Sequence, residues 1–218
     1  MSEERKKFLD SLKMPVLFLF LILIVELAKY ISNNSFVQLG ILPREISGLV
    51  GILTAPLVHS NIEHLFSNAI PLLVLGTSIY YFYPESSKNV IPEVYLFTNI
   101  FVWFFARESY HIGASGIVYG LASFLFFSGV IKKDRRAITL ALLTSFLYGG
   151  LVIGVFPIKE GVSWESHLFG FLVGLVLAVL FRKKDPFKKY DWEDEELEED
   201  IRNIEISYKR GNLFNKEN

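Results

Sequence analysis

Six stretches of this chain stay apolar for roughly the 17–25 residues that a helix needs to cross the hydrocarbon core of a bilayer. They cover residues 14–31, 64–83, 90–106, 115–131, 137–157 and 165–181. A backbone in lipid must satisfy its own N–H and C=O groups, so each run is predicted to be a helix. The expected fold is therefore all-α, a polytopic membrane protein with six transmembrane helices. The composition agrees, with 51% hydrophobic residues, above the usual share of a soluble domain. Cysteine is absent, which excludes disulfides and thiolate chemistry. A net charge of −1 gives no basic field for nucleic acid. The first run has a basic flank but no small-residue cleavage site after it, so it is read as a retained span.

Lys and Arg collect on the cytoplasmic side of membrane proteins. With six spans, fourteen basic residues fall on the side of the N-terminus, among them Arg5, Lys88, Arg135 and Lys184. Only Arg44, Arg107 and Lys159 fall opposite. That bias predicts both termini in the cytoplasm. A single-chain core with short loops suits a prokaryotic cytoplasmic membrane. The expected parts are a cytoplasmic segment at 1–13, a six-span core at 14–182 and a cytoplasmic tail at 183–218. Eight acids in DWEDEELEED, residues 191–200, mark that tail as solvated. Between the first two spans, ISGLVGILTAPLVH is apolar but broken by Gly48, Gly51 and Pro56. It is too interrupted to be a span, so a segment dipping into the interface is expected, shielded from lipid by other protein.

This topology gives spans two, four and six outward-facing N-termini. His64, Ser115 and His167 open those three spans, at similar depth, and polar groups in a membrane usually face the bundle interior or a wet cavity. In HSNIEHLFSN, Ser60 and Glu63 have capping-box spacing, predicting a helix that starts just after Ser60. His64 and Asn68 then share a face at i, i+4, with His59 above them. In GASGIVYG, Gly113 permits a tight approach or a positive φ, and Ser115 lies where free N–H groups favour negative charge. Ser115 and Tyr119 share a face, and Gly116 and Gly120 form a small-residue stripe suited to close helix contact. In SHLFGFLVG, His167 shares a face with Gly170 and Gly174, which would press on that stripe. Each pattern alone is also met by ordinary capping, packing or interhelical polar contacts.

Taken together and in this order, HxxxxHxxxN (His59, His64, Asn68), GxSGxxYG (113–120) and SHxxGxxxG (166–174) resemble the rhomboid family of intramembrane serine proteases. The resemblance covers roughly residues 14–182 and implies a six-helix rhomboid-like bundle with a membrane-dipping first loop. It also implies that Ser115 is the nucleophile and His167 the general base. His64 and Asn68 would stabilise the oxyanion, His59 would support them, and Tyr119 would stack on the catalytic imidazole. Many members carry a Trp-Arg pair in the first loop; here that region reads EISGLVGIL. The acidic tail lies outside the match.

The implied chemistry is self-consistent. A serine hydroxyl is a weak nucleophile until a base takes its proton, and preorganised donors stabilise the resulting oxyanion. Tyr119 packing would orient the imidazole without an acidic third member, and Glu165 points to a different helix face from His167. The expected function is an intramembrane serine endopeptidase acting on transmembrane protein substrates near the outer face, with no cofactor and no metal. Two alternatives remain: a proteolytically inactive relative that binds membrane segments, and a metal site built from His59, His64, His111 and His167. For the latter, HExxH is absent, and His111 reads as a loop residue.

Overall fold

A computed structural model of the chain describes residues 2–147, 153–158, 161–186 and 202. Seven α-helices are present among the described residues: α1 Glu3–Ser32, α2 Gly51–Thr54, α3 Ile62–Phe82, α4 Pro84–Phe105, α5 Ser115–Lys132, α6 Arg135–Leu147 and α7 Trp164–Leu180. Short 3₁₀ turns join them, and the only strand-like pairing among these residues is an isolated bridge between Ile41 and His111. The helices lie within one compact unit, Met1–Asp185. The tail motif at 191–200 lies outside the described residues, as do 148–152 and 159–160 of the fifth predicted span and the loop after it.

Among the described residues, three helices, α1, α3 and α5, are long and apolar enough to cross a membrane. α1 starts eleven residues before the apolar run at 14–31, because Ser2 caps it and Glu3 and Glu4 occupy its first turn, both favourable at a positive helix end. α4 is long, but Glu85, Lys88 and Glu93 lie in its first half. α7 is apolar but only 17 residues long. α5 is the axis of the bundle. It is buried from Gly116 through Leu125, as expected of a helix that is apolar all round, and α3, α4, α6 and α7 all pack on it. Water does not drive such contacts within lipid, so close packing must hold them.

Glycines permit the closest approach. A Cβ built on Gly174 would lie 3.0 Å from the Gly120 carbonyl carbon and 2.9 Å from Ser123 Cβ. One on Gly170 would lie 2.9 Å from the Gly116 carbonyl carbon. α5 and α7 thus touch backbone to backbone along Gly116/Gly120 and Gly170/Gly174.

The irregular first loop is held by α4. Tyr95, Asn99 and Trp103, spaced by four on one face, donate to the carbonyls of Leu53, Ile52 (3.0 Å) and Glu45 (3.0 Å). Arg44 donates to the Ala106 carbonyl at 2.6 Å. This ladder satisfies backbone groups that a loop of 3₁₀ turns leaves open. Ile46, Leu49 and Leu53 of the loop stay exposed. At the other end of the bundle, Asp185 caps α4, accepting from the N–H groups of Glu85 (2.8 Å) and Ser86 (2.9 Å) and from the Ser86 hydroxyl (2.5 Å).

Candidate active site

Ser115 is the first residue of α5 and His167 lies in the first turn of α7. The glycine contact sets these helix ends side by side, and His167 Nε2 lies 2.8 Å from Ser115 Oγ. His167 Nδ1 lies 2.8 Å from the Gly154 carbonyl. A carbonyl only accepts, so Nδ1 carries the proton and Nε2 presents its lone pair to the serine hydroxyl. Tyr119, one turn beyond Ser115, stacks on the imidazole with centroids 4.1 Å apart and planes 7° from parallel. The ring is therefore held on its face by Tyr119 and at its far edge by Gly154. Gly154 has no counterpart in the three motifs; a contact made by a backbone carbonyl leaves no side-chain signature in sequence.

The second half of the site comes from α3. This helix begins at Ile62, with Asn61 as its cap accepting from His64 N–H at 2.8 Å. The cap is thus one residue later than the Ser60/Glu63 box predicts. Ser60 turns instead to His64: its hydroxyl lies 3.2 Å and its N–H 3.5 Å from His64 Nδ1. With Nδ1 accepting from that N–H, His64 Nε2 carries the proton. Asn68, buried one turn below, donates one amide hydrogen to the His64 carbonyl at 2.9 Å, leaving the other free to donate. Both donors border Gly113. A Cβ there would lie 2.8 Å from His64 Nε2 and 3.8 Å from Asn68 Nδ2.

Gly113 has φ +102, which only glycine adopts without strain. Gly113→Ala is expected to destabilise the protein by about 1–3 kcal/mol, read as a lowered thermal midpoint in detergent. An unchanged midpoint would remove this account of the turn.

His59 is fully buried behind His64, with ring centroids 5.1 Å apart in an edge-to-face contact. Burial pulls its pKa down to about 3, with smaller contributions from His64 and Lys29. The neutral ring accepts from Ala114 N–H at Nε2, 3.4 Å away. His111 is also buried, and burial lowers its pKa. It bridges the Arg107 carbonyl (3.0 Å) and the Ser163 hydroxyl (2.5 Å). Arg107 pairs with buried Glu165 at 3.1 Å and donates to the Val162 carbonyl at 2.7 Å. Together these contacts tie the loop before Ser115 to the start of α7. The four histidines thus have separate tasks, and among the described residues no group of three or more His, Asp or Glu is placed to hold a metal ion.

A cavity of about 610 Å³ opens over Ser115 and His167, with His64, Asn68, Tyr119 and Arg107 in its wall. Ser60, Asn61 and Ser163 add further polar groups to its wall. The site is thus a hydroxyl facing an imidazole lone pair, with two N–H donors beside a helix N-terminus, at the wall of one cavity.

The chain is similar to an uncharacterized protein of Mycobacterium tuberculosis (strain ATCC 25618 / H37Rv), with 33% identity over 172 residues, 75% of this chain and 72% of that protein. It is also similar to the chloroplastic rhomboid-like protein 11 of Arabidopsis thaliana, at 26% identity over 187 residues, 76% of this chain and 65% of that protein. A second Arabidopsis thaliana protein, RHOMBOID-like protein 4, is 28% identical over 135 residues, 58% of this chain and 32% of its own length. The Rhomboid domain family model matches residues 47–184, a span that takes in every residue of the site described above. On that match and on its all-helical apolar fold, the chain belongs to the rhomboid family of integral membrane proteins.

Proposed function

We propose that this protein is an intramembrane serine endopeptidase that hydrolyses peptide bonds in or near transmembrane segments of other membrane proteins. The observation that carries the reading is the 2.8 Å contact between Ser115 Oγ and a His167 nitrogen whose ring partner is already committed to Gly154. Ser115 attacks the scissile carbonyl as its proton passes to His167 Nε2. The oxyanion accepts hydrogen bonds from His64 Nε2, Asn68 Nδ2 and the Ser115 N–H. His167 then returns the proton to the leaving amine, and water hydrolyses the acyl-enzyme by the same route. His59, Gly113, Gly116, Tyr119, Gly170 and Gly174 support this geometry.

The same reading has six spans, both termini in the cytoplasm, a catalytic core at 14–182, and the site opening toward the outer face of a prokaryotic cytoplasmic membrane. The exposed Ile46, Leu49 and Leu53 support a first loop seated in the interface. A substrate helix hides its backbone hydrogen bonds, so its scissile region must unwind first. Helix-breaking residues near the cut lower that cost.

The test is reconstitution of the full chain in liposomes with single-span test proteins, followed by mass analysis of the fragments and labelling with a fluorophosphonate. Cleavage within or beside the span, with labelling lost in Ser115→Ala, is the expected result. Neither cleavage nor labelling from correctly inserted protein would reject the protease in favour of a binder of membrane segments. Asn68→Ala is expected to lower kcat by about 10-fold, since His64 and the Ser115 N–H still donate. Undiminished turnover would remove Asn68 from the oxyanion set.

A further inference from the structure

Two opposite charges interrupt the apolar first helix: Glu26 and Lys29, three residues apart, pair at 3.0 Å with side chains only 19% and 11% exposed. Ionisable groups at membrane depth are costly and are retained where they hold something. These two hold one residue thirty positions away. Glu26 Oε1 accepts from the His59 N–H at 3.2 Å, and Lys29 Nζ donates to the His59 carbonyl. Both backbone polar groups of His59 are thus bound by side chains of α1, and their polarity matches the pair, with carboxylate to N–H and ammonium to C=O.

The bound segment is the one on which the serine turn rests. The Ala55 carbonyl accepts from Gly113 N–H at 2.9 Å, and the His59 ring accepts from Ala114 N–H at 3.4 Å. The two N–H groups preceding Ser115 are therefore set by the two ends of segment 55–59. We propose that the Glu26–Lys29 pair is a positioning device that holds segment 55–59 in place and thereby fixes the turn carrying Ser115. These residues touch no substrate, so they are positioning and not catalytic residues. The proposal rests on the reading of Ser115 as the nucleophile.

The variant Glu26→Leu/Lys29→Leu gives a wholly apolar span that inserts at least as readily but leaves both His59 groups without partners. In reconstituted full-length protein it is expected to lower kcat by about 10- to 100-fold while KM changes by less than about twofold. Fluorophosphonate labelling should slow in parallel. The charge-swapped Glu26→Lys/Lys29→Glu keeps the ion pair but presents each charge to the wrong His59 group, so it should be as slow as the double leucine. Lys29→Arg should restore most of the rate.

A swapped variant with wild-type kcat would overturn the proposal, since charge balance alone would then suffice. So would a double-leucine enzyme with unchanged kcat. Amide exchange supplies an arm independent of proteolysis: the Gly113 and Ala114 N–H groups should exchange at least about tenfold faster in the double-leucine protein. If the wild type proves inactive, the protease reading fails, yet unchanged exchange at these amides would still sink the positioning role and faster exchange would uphold it.

Discussion

Replacement of either Ser115 or His167 by Ala should end cleavage, lowering kcat by on the order of 10⁴-fold or more, while the protein still inserts and folds. The magnitude follows from how the two groups act. Neither is useful alone, since the hydroxyl needs the lone pair 2.8 Å away and the imidazole has no other proton to take from the reacting centre. The two losses should therefore not add, and the double variant should resemble each single one. Both side chains sit in a cavity wall, so truncation opens space beside solvent and leaves the core intact. The measurement is turnover of a single-span substrate by inserted protein, with circular dichroism as the folding control. Cleavage retained by either alanine variant would dissolve the dyad.

The second large effect is expected at a residue that touches no reacting atom. Gly170→Val should lower activity by about 100-fold and stability by about 2–4 kcal/mol. A Cβ at this position already lies 2.9 Å from the Gly116 carbonyl carbon and 3.2 Å from the Gly120 N. These are backbone atoms of a buried helix and cannot turn aside as a side chain could. α7 must move outward, and His167, one turn earlier on the same face, moves with it. An O–H···N contact of 2.8 Å tolerates only a few tenths of an ångström. Val176→Ala, on the exposed face of the same helix, is the control and should change stability by less than about 0.5 kcal/mol. Near-wild-type turnover by Gly170→Val would show that the glycine contact does not set the distance between serine and imidazole.

Much of this architecture is written in local patterns. Most apolar runs mark where helices form, because lipid leaves a backbone few other options; the run at 137–157 departs from this, with α6 at Arg135–Leu147 and a 3₁₀ turn at Ile153–Val155. The intervals within HxxxxHxxxN, GxSGxxYG and SHxxGxxxG place side chains on shared helix faces, because the helical period is fixed. Boundaries followed cap chemistry more closely than hydropathy: α1 extends back to the Ser2 cap, and α3 starts at the Asn61 cap, not after Ser60. Ser60 is drawn off by the His64 ring, a competition that a four-residue capping pattern does not contain.

By itself, then, the sequence determined which segments are apolar, which helix faces carry glycine, and which polar groups stand at the N-terminal ends of α3, α5 and α7. Only the tertiary structure decided that Gly154 fixes the His167 tautomer, that Arg107 and Glu165 join the serine loop to α7, and that Glu26 and Lys29 grip His59 across thirty residues. The division has a physical cause. Helical periodicity and lipid solvation act over a few neighbouring residues and leave a repeating imprint, whereas backbone carbonyls and single long-range ion pairs act once, between segments whose meeting depends on how the whole bundle closes.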